Sequence, residues 1–244
     1  MNGRITLAVA RRVLVQLRRD HRTLAMLLVL PCLVMALLWW MFEDLPGFGF
    51  TSFAPAMLAL IPFIVMFLVT SVTTLRERTS GTLERLLAMP MGKGDLLVGY
   101  ALAFGLVATV QSALAVTLSV TLLDLDVEGP VWMLVVVAVV DAVLGTALGL
   151  FVSAFARTEF QAVQFMPAFV IPQILLCGLF VARDRLPGVL EVISDVLPLS
   201  YAVEAMDRVA TEADPAVWGD LGIVVAFAVG GLALGALTLR RQSE

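Results

Sequence analysis

Five charged side chains lie close together in one polar stretch, residues 76–90 (RERTSGTLERLLAMP), which separates two long apolar runs. The charged members, with one lysine just beyond, are Arg76, Glu77, Arg78, Glu84, Arg85 and Lys93. Leu83, Leu86 and Leu87 are spaced at i, i+3 and i+4, so they share one face of a short helix. Such a helix buries its leucine face either in the lipid interface or against a partner protein. The alternative is a solvated loop.

No group of residues in the chain matches a catalytic, cofactor or metal site. Residues 92–94 (GKG) lack the leading glycine and the Ser/Thr of a GxxxxGK[ST] loop, so the chain is not expected to hold ATP phosphates itself. His21 is the only histidine, which excludes a multi-histidine metal site. Cys32 and Cys177 lie inside apolar runs and are interpreted as small buried hydrophobes rather than as a disulfide or metal pair.

One carboxylate, Asp141, falls in the middle of a long apolar run. An acid at that depth is a functional candidate by default, because its charge is costly in hydrocarbon. The other interpretation is a neutral or hydrogen-bonded aspartate that Gln111 or Ser112 satisfies across a helix pair. The sequence has no second intramembrane acid or base that could form a relay, so we favour the structural interpretation.

The composition predicts a membrane protein that crosses the bilayer several times. Of its 244 residues, 60% are hydrophobic and 15% charged, and the mean hydropathy is +0.98. A soluble domain has about 45–50% apolar and about 25% charged residues. The fold class is therefore all-α, and we treat the chain as a single transmembrane domain, residues 1–244. The runs long enough to span are 23–42, 53–75, 96–123, 131–155, 160–182 and 218–239.

The segment before the first run, residues 4–20, predicts an amphipathic helix. Ile5, Val9 and Val13 step by four along one side. The other side carries basic residues, which are Arg4, Arg11, Arg12, Arg18 and Arg19. Such a helix is expected to lie in the interface with its arginines on anionic head groups. The charged region of a signal peptide is the alternative, but the following run is too long and lacks a cleavage site.

The distribution of basic residues predicts the orientation. If both termini are cytoplasmic, 13 of the 16 Lys and Arg residues lie inside, and only Arg183, Arg185 and Arg208 lie outside. This places residues 76–90 in the cytoplasm as well.

The segment between the fifth and sixth runs, residues 183–215, is too polar to span but keeps an apolar ridge. Pro187 and Pro198 are placed to begin two short helices. These helices are expected to dip into the outer leaflet as re-entrant elements. An ordinary extracellular loop is the alternative.

Three blocks in this order carry a resemblance to a known family. The first is the polar stretch, which resembles the pattern E-R-x-x-G-T-L-E-x-L-L-x-x-P of the type-2 ABC transporter permeases. The second is residues 152–167 (VSAFARTEFQAVQFMP), and the third is residues 197–208 (LPLSYAVEAMDR). The chain is most similar to the drug-exporter branch of that family, typified by the daunorubicin-resistance permeases.

The resemblance implies a permease that dimerises and pairs with two copies of a separate ABC ATPase, which binds ATP and Mg. It implies that residues 76–90 form a coupling helix on that ATPase, with contacts from Glu77, Arg78, Gly81, Thr82, Leu83, Glu84, Leu86 and Leu87. It implies export of a drug-like or lipid-like amphiphile across a prokaryotic cytoplasmic membrane, along a dimer-interface path that would include Pro62, Gln164, Pro167 and Gln173. Two alternatives remain, a proton-coupled secondary transporter that uses Asp141 and a non-transporting membrane scaffold.

Overall fold

The computed structural model describes residues 2–42, 49–82, 85 and 92–238, with the side chain of Thr238 excepted, and this described part is helical with no strand. The described residues form nine α-helices in chain order, with a 3₁₀ turn at Arg183–Arg185 between the sixth and seventh. They are α1 Gly3–Arg19, α2 His21–Phe42, α3 Phe50–Thr79, α4 Lys93–Thr121, α5 Val131–Ser153, α6 Glu159–Leu176, α7 Gly188–Asp195, α8 Pro198–Thr211 and α9 Trp218–Thr238. The all-α prediction is confirmed.

Six of these helices are long and apolar enough to cross a membrane, which confirms the predicted number of spans. They are α2, α3, α4, α5, α6 and α9, and their most apolar windows have mean hydropathies between 1.2 and 2.4. The fifth predicted run extends to residue 182, whereas α6 ends at Leu176. The backbone of Gly178 has a φ of +97°, a left-handed conformation that glycine adopts without strain and that turns the chain out of the helix.

The core of the bundle is the close packing of α3 against α5. Gly145 and Gly149 lie one helical turn apart on α5. A Cβ atom built on Gly145 would lie 2.4 Å from the carbonyl oxygen of Phe63, and one on Gly149 would lie 2.5 Å from that of Phe67. Small residues at such a spacing allow two membrane helices to approach until their backbones touch. The two helices therefore form a fixed pair around which the other elements pack.

Two of the six spanning helices, α2 and α6, lie at the periphery and leave most of their surface open. The exposed apolar side chains of α2 include Met26, Leu33 and Trp40, and those of α6 include Phe160 and Ile171. By contrast, most of the apolar window of α3 and of α5 is buried inside the protein. The structure is therefore built on the buried pair α3 and α5, and α2 and α6 are the least buried of the six candidate spans.

The segment after α6 folds into the two short helices that the prolines predicted. Pro187 caps α7 and Pro198 occupies the first turn of α8. One side of α8 is buried against α3, α5, α6 and α9. Its other side is tied down by ion pairs, since Arg183 pairs with Asp195 and Glu204, and Arg208 pairs with Glu204 and Asp220. That these helices are re-entrant stays a prediction.

Candidate functional site

The candidate site is the polar end of the bundle, where α3 ends, α4 begins and α1 packs across both. Helix α3 stops at Thr79, and Gly81 follows with a φ of +69°, which turns the chain away from the helix axis. The hydroxyls of Ser80 and Thr82 are 3.0 Å apart at this turn. The predicted coupling residues Leu83, Glu84, Leu86 and Leu87 lie outside the described residues, so the interpretation of that ridge stays a prediction.

Three consecutive residues at the end of α3 each bind a different element. The guanidinium of Arg76 donates to both carboxylate oxygens of Glu159 at the start of α6, at 3.0 and 3.2 Å. The carboxylate of Glu77 accepts a hydrogen bond from Arg12 of α1 at 3.1 Å. The guanidinium of Arg78 donates to the backbone carbonyl of Ser153 at the end of α5. The last turn of α3 is thus joined to α1, α5 and α6 at once.

The Glu77 contact is the buried one of the three. Its side chain is 6% exposed, and that of Arg12 is 33% exposed. A carboxylate removed from water in this way is stabilised only if a cation or hydrogen-bond donor faces it. Arg12 supplies both, so α1 fixes the direction in which α3 ends.

The start of α4 is held to α1 by a second buried carboxylate, Asp95. One of its oxygens accepts hydrogen bonds from the backbone N–H of Asn2 at 2.8 Å and the hydroxyl of Thr6 at 3.3 Å. The other accepts the backbone N–H of Gly92 at 3.1 Å, which caps the helix. Helix α1 therefore contacts the chain on both sides of the stretch 80–92, through Glu77 before it and Asp95 after it.

The apolar face of α1 packs on protein. A Cβ atom on Gly99 of α4 would lie 2.7 Å from the Cβ of Val9, so the two helices approach closely at this point. Val9 and Val13 are both buried. The missing side chain at Gly99 gives α1 a groove on α4, and that the helix also lies in the lipid interface stays a prediction. The arginine side predicted to meet head groups stays a prediction.

The opposite face of α1 is open and basic. A groove of about 630 Å³ along it is lined by Ala8, Arg11, Arg12, Val15, Gln16 and Arg19. The corner that leads from α1 into α2 is formed by Asp20, whose carboxylate accepts hydrogen bonds from the hydroxyl and backbone N–H of Thr23 at 2.7 and 3.1 Å. These bonds hold the pKa of Asp20 below its usual value, which keeps the cap charged.

Asp141 lies in the core at some distance along α5 from this end. It is completely buried, as are Gln111 and Ser112 on α4. Within the described part of the chain, neither carboxylate oxygen of Asp141 has a hydrogen-bond partner, and the side chains of Gln111 and Ser112 have none either. The predicted hydrogen bond between Asp141 and those two residues is therefore not formed.

The four residues predicted to line a substrate path do not share one surface. Gln164 and Pro167 are exposed on α6, whereas Pro62 and Gln173 are buried. The amide of Gln173 donates to the carbonyl of Phe169 at 3.0 Å and accepts the backbone N–H of Leu199 at 3.4 Å. Both ends of that amide are thus used within the protein.

Sequence reasoning did not identify Asp95 and Glu159 as parts of this site. Asp95 stands three residues after Gly92, where an acidic side chain caps the start of a helix, and that spacing is visible in the sequence. Glu159 is the first residue of α6 and follows the capping residue Thr158. Its pairing with Arg76, 83 positions earlier, has no local signal in the sequence.

Comparisons with known proteins agree with the resemblance. A family model described as "ABC-2 type transporter" matches residues 5–209. The Escherichia coli protein named "Probable multidrug ABC transporter permease YbhR" is 25% identical over 155 residues, 64% of this chain and 42% of that protein. The Bacillus subtilis "Linearmycin resistance permease protein LnrN" is 26% identical over 171 residues, 69% and 44% of the two chains. The Dictyostelium discoideum "ABC transporter G family member 20" is 28% identical over 162 residues, 66% and 22%. The matched region thus spans less than half of each of these relatives.

Proposed function

This chain belongs to the ABC-2 type transporter family, and from that premise we propose that it is the membrane-spanning subunit of an ATP-driven exporter. ATP and Mg would be bound by a separate ABC ATPase, present in two copies with two copies of this chain. The assembly would lie in a prokaryotic cytoplasmic membrane with both termini in the cytoplasm. The multi-pass character needed for this role follows from the six apolar helices.

The observation that carries the proposal is the double attachment of α1 around the stretch 80–92. Arg12 holds Glu77 before the stretch, and Asn2 and Thr6 hold Asp95 after it. Because both ends of the segment join helices that α1 holds, we propose that a displacement of the segment passes to α3 and α4. We propose that the ATPase docks on this stretch and moves it when it closes on ATP.

The leucine ridge of the stretch supports a protein partner over a lipid surface. Leu83, Leu86 and Leu87 share one helical face by their spacing. An apolar face among polar residues is stable only when it is buried against another surface. Rows of leucines flanked by charges match the groove-binding mode in which an amphipathic helix lays its apolar face on a partner. The neighbouring basic groove of α1 favours an acidic margin on the same partner.

The cargo is proposed to be a hydrophobic or amphipathic compound, drug-like or lipid-like. Two of the relatives carry "multidrug" and "linearmycin resistance" in their names, which supports this class. The exposed surface of α6 offers one polar side chain, Gln164, within an otherwise apolar face that includes Pro167, Val163 and Ile171. We propose that this face meets the second copy and lines the path between them.

Co-purification tests the docking surface. The chain and its ATPase are expressed together, and the ATPase recovered with a tagged permease is measured for wild type and for Leu86→Asp. We expect Leu86→Asp to abolish recovery, because an unpaired charge in a desolvated contact costs about 2–5 kcal/mol. Leu122→Asp is the matched control, since Leu122 is exposed just after the far end of α4. Equal recovery in both variants would contradict the proposal.

A further inference from the structure

Helix α6 makes its polar contacts with the rest of the protein at its two ends, and between them Val170 packs into the main apolar core. At the polar end, Glu159 pairs with Arg76, and Ala162 packs with Leu75 and Ala156 in a small apolar cluster. At the far end, Gln173 binds the backbone N–H of Leu199. The stretch between the two attachments carries exposed apolar side chains, which are Val163, Phe169 and Ile171.

The attachment at the far end is the more firmly built. Besides the Gln173 contact, the hydroxyl of Ser194 donates to the carbonyl of Leu176 at 2.8 Å and lies 3.1 Å from that of Ser200. Gln173, Ser194 and Ser200 are all buried. Buried hydrogen bonds are costly to open, because each freed group would be left without water. This end of α6 is therefore fixed to α7 and α8.

The attachment at the polar end, in contrast, is exposed to water. The side chains of Arg76 and Glu159 are 65% and 49% exposed. An ion pair in that position gains little, because water solvates both partners when it separates. The bidentate geometry still gives it a defined direction. It is a contact that orients α6 and can open.

Arg76 lies in the last turn of α3, the turn that a displacement of the stretch 80–92 would move first. It precedes Glu77 and Arg78, which join the same helical turn to α1 and α5. We infer that Arg76 and Glu159 are positioning residues that hold the polar end of α6 against α3, and that their separation lets this end of α6 swing about its fixed far end. The contact between Arg76 and Glu159 is given by the geometry alone. That a docked ATPase causes the displacement rests on the proposed function.

A buried reporter beside the pair measures this opening. Ala162 is completely buried, so Ala162→Cys should react slowly with a maleimide while α6 is closed. The background carries Cys32→Ser and Cys177→Ala, which removes both native thiols. The full chain is placed in lipid nanodiscs, and the labelling rate is measured with Arg76→Glu, Glu159→Arg and the two changes together.

We expect each single charge change to raise the labelling rate about two- to fivefold, the range that a surface ion pair can supply. The charge-swapped double variant should return close to the starting rate, and a double-mutant cycle isolates the pair from the nearby Asp20. Arg157→Glu is the matched control, because it changes a neighbouring exposed arginine with no side-chain bond among the described residues. A second reporter at the far end, Ala202→Cys, should keep its rate in every variant.

Unchanged labelling in both single variants would overturn the inference. So would a double variant whose labelling rate rises by the product of the two single-variant increases. So would an equal increase in the labelling rate at Ala202→Cys, since the far end of α6 would then not be fixed.

Addition of the ATPase and ATP separates a failure of this inference from a failure of the proposed function. If the charge changes act as expected but ATP has no effect on labelling or export, the pair stands and the proposed coupling fails. Export per ATP hydrolysed should fall in the single variants and recover in the double.

Discussion

Among the arginines of α1, Arg12 has a structural role that depends on where the helix packs. Five arginines lie on α1, yet Arg12 alone of them makes an ion pair in the described part of the chain. Its position beside the buried Glu77 follows from the packing of α1 on α4. The spacing of the arginines could not distinguish it from Arg11, because both lie on the same basic side.

We therefore predict that Arg12→Ala destabilises the protein more than Arg11→Ala does. Removing Arg12 leaves Glu77 buried without its cation, which costs about 1–3 kcal/mol. Arg11 is exposed, and its loss should change stability by less than about 0.5 kcal/mol. Thermal unfolding of the two purified variants in the same detergent measures the difference. Equal melting temperatures would show that the pair does not stabilise the fold.

Asp141 allows a second prediction at this scale. Its carboxylate is enclosed by the core with no hydrogen-bond partner among the described residues. An amide fills nearly the same volume and carries no charge to desolvate, so Asp141→Asn should retain the fold and ATP-dependent export. Export into vesicles, normalised to the amount of assembled protein, is the measurement. A variant that assembles normally but no longer exports would assign Asp141 a direct part in transport.

At the scale of elements, the contact of α3 with α5 fixes the frame in which the polar end is built. Gly145→Ala would place a methyl group 2.4 Å from the carbonyl oxygen of Phe63. The backbones would have to separate, and overpacking of this kind costs about 1–3 kcal/mol. Gly222→Ala on α9 is the control, because a Cβ there meets nothing within 4 Å. Thermal unfolding should show a clear loss for the first variant and none for the second.

The elements themselves were largely predictable from hydropathy. Long apolar runs cannot avoid being helices in a bilayer, so the six spans followed directly from the sequence. Pro187 and Pro198 marked the starts of α7 and α8 for a local reason, since proline suits a first helical turn. The end of α6 was predicted six residues too late, because its apolar character continues past Leu176 while the backbone turns at Gly178.

The partners of the polar end could not be predicted in the same way. Arg76, Glu77 and Arg78 form one charged cluster in the sequence, and the resemblance implied ATPase contacts for Glu77 and Arg78. In the structure their side chains diverge to α6, α1 and α5. Which of three neighbours each side chain meets depends on where the helices cross. That information lies in contacts between residues far apart in the chain.

For the whole molecule, the proposed function would separate the stretch 80–92, where the ATPase docks, from α6, where the displacement acts. The stretch 80–92 is braced by α1 at one end of the bundle, and α3 carries the connection to α6. The core of α3 and α5 is closely packed, so under the proposed function a displacement would pass to the peripheral helices rather than deform the core. Under the proposed function, this chain would supply the moving helices and the path, and a separate ATPase would supply the energy.

The purified chain in proteoliposomes should hydrolyse no ATP, because its sequence has no phosphate-binding loop of the GxxxxGK[ST] type. Hydrolysis should appear when the ABC ATPase is added, and it should rise further with an exported amphiphile, since cargo and nucleotide would act on the same moving helices. The measurement is phosphate release with each component omitted in turn. A catalytically inactive ATPase variant gives the background, and turnover by the permease alone above that background would contradict the account.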